Sequence, residues 1–316
     1  MKEDSLLSFF ARKFSYPGNA SIVVGPGDDC AVLDAGGREY MLVTVDEVQD
    51  GTHFLMNFTS PQLLASKLVR MNVSDIYSMG DARPLFCVIA GGLSRSTQES
   101  WVRKFSSALK EEADFFGMKV IGGNLCRSDK IHFSMTVIGS VPKNRLVLRK
   151  GASAGELLVC AGRLGEARAG LEILMSGRVV KGLEKKLVSF FWKPEIRFKD
   201  SALISPFATS MLDNSDGLYR SLKIIASKNR LRVKASLTPD SVSPELKAWC
   251  SAGKKDWRRY AIEGGEDYGL IFTLKEKDFP ALKRKMPHLR IIGRLEKGSG
   301  VEIEGYEKKV ETFQHF

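Results

Sequence analysis

The chain has 316 residues, 43% of them hydrophobic and 27% charged, the balance of a globular protein large enough for two domains. No apolar run approaches bilayer length; Phe86–Leu93, about the best, is strand-sized, so no membrane partner is expected. The formal net charge of +11 suits an anionic partner, but it is spread through segments such as Lys181–Lys186 and Lys283–Lys285 without a nucleic-acid-binding signature, so no nucleic acid is expected either.

Leu6, Leu7, Phe9 and Phe10 read as an amphipathic first helix rather than a signal peptide, since acidic residues precede them and no small-residue cleavage site follows. Tyr40–Asp46 is a strand running into an acidic end. Ser60-Pro61 opens a helix that carries Leu63, Leu64, Leu68, Met71 and Ile76 toward Met79 and stops at Gly80. A buried strand follows at Leu85–Leu93, then a helix whose capping box is Ser96 and Glu99 and whose apolar face is Trp101, Phe105, Leu109 and Phe116. Val120–Ile121 and Ile131–Val141 complete an α+β sandwich with one helical face. Val141–Gly155, rich in Pro, Gly, Lys and Arg, marks the junction between domains at 1–142 and 143–316. The second domain alternates: strand Leu157–Ala161, helix Leu164–Met175, then segments Leu218–Ala226, Leu231–Leu237, Tyr268–Leu274, Phe279–Met286 and Leu289–Leu295. Cys30, Cys87, Cys126, Cys160 and Cys250 are scattered and odd in number, which argues against a disulfide framework or a zinc site and for a reducing cytoplasm.

The carboxylates sit in unusual places. They cap apolar strands or interrupt an apolar helix: Asp28-Asp29 after Gly25-Pro26-Gly27, Asp46 with Asp50 and His53 just beyond, Asn72 and Asp75 on one face of a helix, Asp213 and Asp216 before a helix start, and Gly264-Gly265-Glu266-Asp267. Adjacent carboxylates repel unless cations compensate, and oxygen-only ligands suit magnesium or calcium. The helix after Asp216 offers an N-terminus to a phosphate. Each motif alone is also a good Asx-turn or helix cap. There is no GxxxxGK[ST], no complete Rossmann fingerprint, no HExxH and no GxSxG. His132, in an apolar strand, reads as a core residue with its polar atoms satisfied; His53, beside an acidic strand end, is open to a functional role.

In order along the chain, GPGDDCAVL, VTVDEVQDGTHF, VRMNVSDIYSMGDARP, IGGN, LRKGASAGE, LDNSDGL, GGEDYGLIFT and TFQHF resemble the thiamin-monophosphate kinases, relatives of aminoimidazole ribonucleotide synthetase and selenophosphate synthetase. The resemblance spans Gly25 to Phe316. It implies a two-domain α+β fold with an N-terminal sheet domain that dimerises and binds ATP and metal, and a C-terminal α/β domain beside it. It implies transfer of the γ-phosphate of ATP to thiamin monophosphate, in line and with several Mg2+ ions, in a cytoplasmic homodimer. By position it makes Asp28, Asp29, Thr44, Asp46, Asp75, Asn124, Asp213 and Asp216 metal ligands, sets Gly123, Asn124, Arg149 and Ser215 against the nucleotide, and sets His53, Glu266 and Phe313 against thiamin monophosphate. No residue is expected to act as a covalent nucleophile, because the acceptor is already an ionised phosphate.

Two departures from the family pattern stand out. Asn124 replaces the usual aspartate of a GGDT run, and Val45 stands where a hydroxyl residue is common, so a weakened or rearranged metal cluster is expected. Gly269, after Glu266-Asp267-Tyr268, reads as structural. The alternatives are another ATP-dependent enzyme of the superfamily, or a homodimeric binding protein impaired in catalysis. Selenophosphate synthesis calls for a reactive cysteine in a mobile glycine-rich segment, whereas Cys30, within the acidic loop, reads as a packing residue.

Overall fold

A computed structural model describes residues 3–307 and 310; Phe313 and the terminal TFQHF lie outside the described residues. The first half runs α1 (Glu3–Lys13), β1 (Ile22–Val24), β2 (Ala31–Leu33), β3 (Glu39–Gln49), α2 (Pro61–Ser78), β4 (Arg83–Leu93), α3 (Glu99–Phe115), β5 (Lys119–Arg127) and β6 (His132–Pro142). Its sheet has the order β1-β2-β3-β6-β4-β5, antiparallel except for the β4–β5 edge. The second half runs β7 (Leu157–Ala161), α4 (Glu166–Met175), α5 (Glu184–Trp192), α6 (Phe198–Ile204), β8 (Ala208–Asp213), α7 (Leu218–Asn229), β9 (Leu231–Ala235), α8 (Pro244–Ala252), α9 (Trp257–Glu263), β10 (Leu270–Leu274), α10 (Phe279–Lys285), β11 (Arg290–Lys297) and β12 (Gly300–Ile303). Its sheet has the order β12-β9-β11-β7-β10-β8.

In the first sheet β3, β4 and β6 alternate because only one face is covered, while the edge strand β5 is exposed along its whole length. Leu42, Thr44 and Val48 of β3, Cys87 of β4 and Phe133, Met135 and Val137 of β6 point to the buried side, where α2 and α3 lie. Val45, Phe86 and Val88 point the other way and stay 58%, 42% and 38% exposed. In the second sheet, by contrast, β7 and β10 are buried along their whole length: Leu158, Cys160 and Ile271 pack on one face, Leu157, Val159, Leu270 and Phe272 on the other.

Helix α2 joins the halves. Ser60 caps it by accepting the N–H of Leu63, with Pro61 in the first turn as expected. It is buried on nearly all sides because the first sheet lies on one flank and β8, α5 and α6 of the second half on the other. The expected cap of α3 is corrected: the helix begins at Glu99 after Gln98, with no side-chain cap, and the Ser94 hydroxyl engages Ser96 and Thr97 instead. His132 is likewise half-buried against Ser128 rather than a core residue. Gly269 has its structural reason in the close passage of the neighbouring strand end: a Cβ on Gly269 would come 3.1 Å from the Gly162 Cα and 3.2 Å from the Ala161 carbonyl oxygen.

Candidate functional site

Strand β3 and helix α2 face each other across the buried side of the first sheet, so their polar residues meet. The Thr44 hydroxyl donates to Asp75 Oδ2 at 2.6 Å, and the Asp46 N–H donates to the Asn72 side-chain oxygen at 3.0 Å. Ser74, the residue before Asp75, reaches into the second half and donates to Asp213 Oδ2 at 2.7 Å. Asp213 ends β8, and its other oxygen accepts the Ser215 hydroxyl at 2.8 Å. Asp29 enters from the loop before β2. Thus Asp29, Asp75 and Asp213 each place a carboxylate oxygen within 4.8 Å of the others, from three elements and both halves.

Such crowding resists ionisation. Burial, then the charge of Asp29, pushes Asp213 up to about 7; burial, then the charges of Asp213, Asp216 and Glu266, does the same for Asp46. Asp75 is pushed well above the usual carboxylate range by burial and then by Asp46, and Asp28 rises to about 6 by burial and then by Asp29. The Arg149 cation answers the cluster. Arg149 holds Asp29 Oδ1 through Nη2 at 2.5 Å and Nε at 3.2 Å, while its backbone N–H donates to Asp28. Asp29 Oδ2 is buried and has no hydrogen-bond partner among the described residues. An unpartnered buried carboxylate oxygen facing two more carboxylates fits a hard divalent cation, so the donor set suits magnesium.

The remaining candidates divide. Asp216 is half-exposed and paired with Arg220 at 3.1 Å, outside the tight group. His53 lies in the turn beyond β3, its Nδ1 accepting the Gln49 N–H. Glu266 sits in the loop before β10 at φ +64°, a conformation rare for a side chain with a Cβ. That loop is held by Asp267, whose buried carboxylate accepts the N–H groups of Gly165 and Ala167 at the start of α4. Its role had no signal in the sequence beyond an acidic pair after two glycines.

Gly123 and Asn124 are not brought to the cluster within one chain. Asp46 and Gly123 lie on one row of the sheet but three strand spacings apart, roughly 14 Å. Asn124 pairs with Ala90 and so points to the bare face, away from Asp46. Gly123 also has a purely steric reason to be glycine, because a Cβ there would meet the Ile89 carbonyl oxygen at 2.2 Å. The expectation that Asn124 removes a charge from the same cluster is therefore corrected for the single chain.

Sequence reasoning missed Lys67, Arg70 and Ser74. Spaced three and four apart on α2, they form a stripe that contacts the second half: Lys67 with Glu266, Arg70 with the Pro194 carbonyl, Ser74 with Asp213. The available signal was polar residues at positions where an apolar helix should be buried.

The family profile described as AIR synthase related protein, N-terminal domain, matches residues 27–141. Thiamine-monophosphate kinase of Aquifex aeolicus is 32% identical over 292 residues, covering 92% of each chain. The chain belongs to the thiamine-monophosphate kinase family. The Escherichia coli K12 member is 31% identical, over 90% of this chain and 87% of its own. A solved structure of AaThiL complexed with AMPPCP and TMP superposes with a TM-score of 0.89 at 29% identity, covering 100% of this chain and 97% of that one. E. coli HypE, a hydrogenase maturation protein, is 17% identical with a TM-score of 0.67 and shares the fold with this family member. No helix among the described residues is long and apolar enough to cross a membrane.

Proposed function

We propose that the chain transfers the γ-phosphate of ATP directly to thiamin monophosphate, forming thiamin diphosphate and ADP. The observation that carries this reading is the meeting of Asp29, Asp75 and Asp213 from both halves, with one buried oxygen left unpartnered. These three would hold magnesium, and Asp28, Thr44, Asp46 and Asp216 would extend the set. Magnesium, when bound, supplies the positive charge that lets two polyanions approach. An ionised oxygen of the acceptor phosphate attacks the γ-phosphorus in line, and the bond to the bridging oxygen breaks to release ADP. No general base is required, because the attacking oxygen of the acceptor phosphate is already ionised.

Arg149, already beside Asp28 and Asp29, adds a fixed positive charge where nucleotide phosphates would lie, with Ser215 next to Asp213. Glu266 would accept a hydrogen bond from the aminopyrimidine, His53 would line the same substrate, and Phe313 would pack on its rings. The uncovered sheet face with Val45, Phe86 and Val88 supports a homodimer, and Gly123 and Asn124 would then meet the nucleotide at the seam between copies. The reading includes domains divided at 142/143 and a cytoplasmic location.

The test is an assay of the purified chain with ATP and thiamin monophosphate, with magnesium and with a chelator. Thiamin diphosphate forming only with magnesium is expected. No product with magnesium present, alongside tight nucleotide or nucleic-acid binding, would overturn the reading in favour of a binding protein.

A further inference from the structure

Lys67 is among the largest fully buried side chains of the described residues, and it carries a cation. It belongs to α2 of the first half, yet its Nζ lies 2.5 Å from Glu266 Oε2 of the second half. The ammonium also sits 3.6 Å from the ring centre of Phe191 and 5.5 Å from that of Trp192, both on α5. A buried ion pair is weak evidence for stability, since an apolar residue of similar volume often serves as well. Glu266 differs from Lys67 in keeping 29% of its side chain exposed, and its charge is felt at Asp46. Its backbone is fixed in the left-handed region by its N–H to the Ser215 carbonyl at 2.6 Å. Backbone and buried cation together hold this carboxylate where the two halves meet.

We propose that Lys67 is a positioning residue, anchoring Glu266 so that its carboxylate faces the acceptor substrate; this rests on the reading of Glu266 as a contact to thiamin monophosphate. The expected consequence is selective. Replacing Lys67 should weaken the amine-bearing acceptor and leave the nucleotide, held beside Arg149, untouched.

Lys67→Met suits the test, because an apolar side chain of similar length fits against Phe191 and Trp192. KM for thiamin monophosphate should rise about tenfold or more, the size of one lost charge-assisted hydrogen bond, with KM for ATP within about twofold. Adding Glu266→Gln should bring no further loss. A crystal structure of Lys67→Met should show the Glu266 carboxylate displaced. An unmoved carboxylate, an unchanged acceptor KM, or parallel rises in both KM values with a lowered Tm would overturn the proposal. Should Lys67→Met not fold, Lys67→Gln is read on the same axes. If the wild-type chain forms no thiamin diphosphate, the parent reading fails, while the position of Glu266 in the variant structure still decides the role of Lys67.

Discussion

The two sheets bury their strands differently. The first is covered by helices on one face only, so β3, β4 and β6 alternate and Val45, Phe86 and Val88 remain exposed on the other. The second is covered on both, so β7 and β10 are buried throughout and apolar except for Thr273, whose hydroxyl is paired with that of Thr209. What the contrast teaches is where chemistry can sit. Alternation leaves Thr44 and Asp46 free to be polar on an inward-facing row, whereas a strand buried on both faces can offer carboxylates only at its end, as Asp213 does after β8.

The sharpest test of that contrast is loss of one contributor from each side. Asp213→Asn and Asp75→Asn should each lower kcat/KM by about a thousandfold or more in steady-state assays, because both carboxylates face the same centre. Equal tolerance of either change would show that the halves do not share a site.

Packing gives the next largest effect. Phe272→Ala, in the doubly covered sheet, should cost about 3–5 kcal/mol in urea unfolding. Phe86→Ala, on the bare face, should cost under about 1 kcal/mol in the isolated chain, while, on the proposed pairing of two copies through this face, Phe86→Asp should shift sedimentation toward the single chain. If both alanine variants cost the same, the bare face is covered.

The pH dependence follows from the cluster. Asp46 and Asp213 are pushed to about 7 and Asp28 to about 6, so the metal-free folded protein holds protons that an unfolded chain releases near pH 4. Their contribution is full below about pH 4 and is lost as pH rises through 6 and 7. Thermal melts without metal should therefore show falling Tm between about pH 5 and 8, and magnesium should remove the fall at the alkaline end. A metal-free Tm that rises over this range would contradict it.

Asn124→Asp should act more weakly, lowering the magnesium concentration for half-maximal rate by about threefold, because the charge is added on the face opposite Asp46. An unchanged requirement would detach Asn124 from the metal altogether. Ser60→Ala, removing the cap of α2, should cost about 1 kcal/mol and leave KM values alone.

The sequence by itself determined most elements and the family. Strand β7 and the start of α2 were legible because apolar periodicity and the Ser60-Pro61 signal are local, and the acidic motifs because carboxylates at strand ends are anomalous wherever they fold. What only the tertiary structure decided is convergence. That Asp29, Asp75 and Asp213 meet depends on how α2 lies between two sheets, and that Asn124 turns away from them depends on the strand order β3-β6-β4-β5 and on side chains alternating across a strand. Lys67 was hidden for the same reason. Its partner stands 199 residues away in sequence, and the polar stripe on α2, the one local trace of the contact, does not name the part of the chain that buries it.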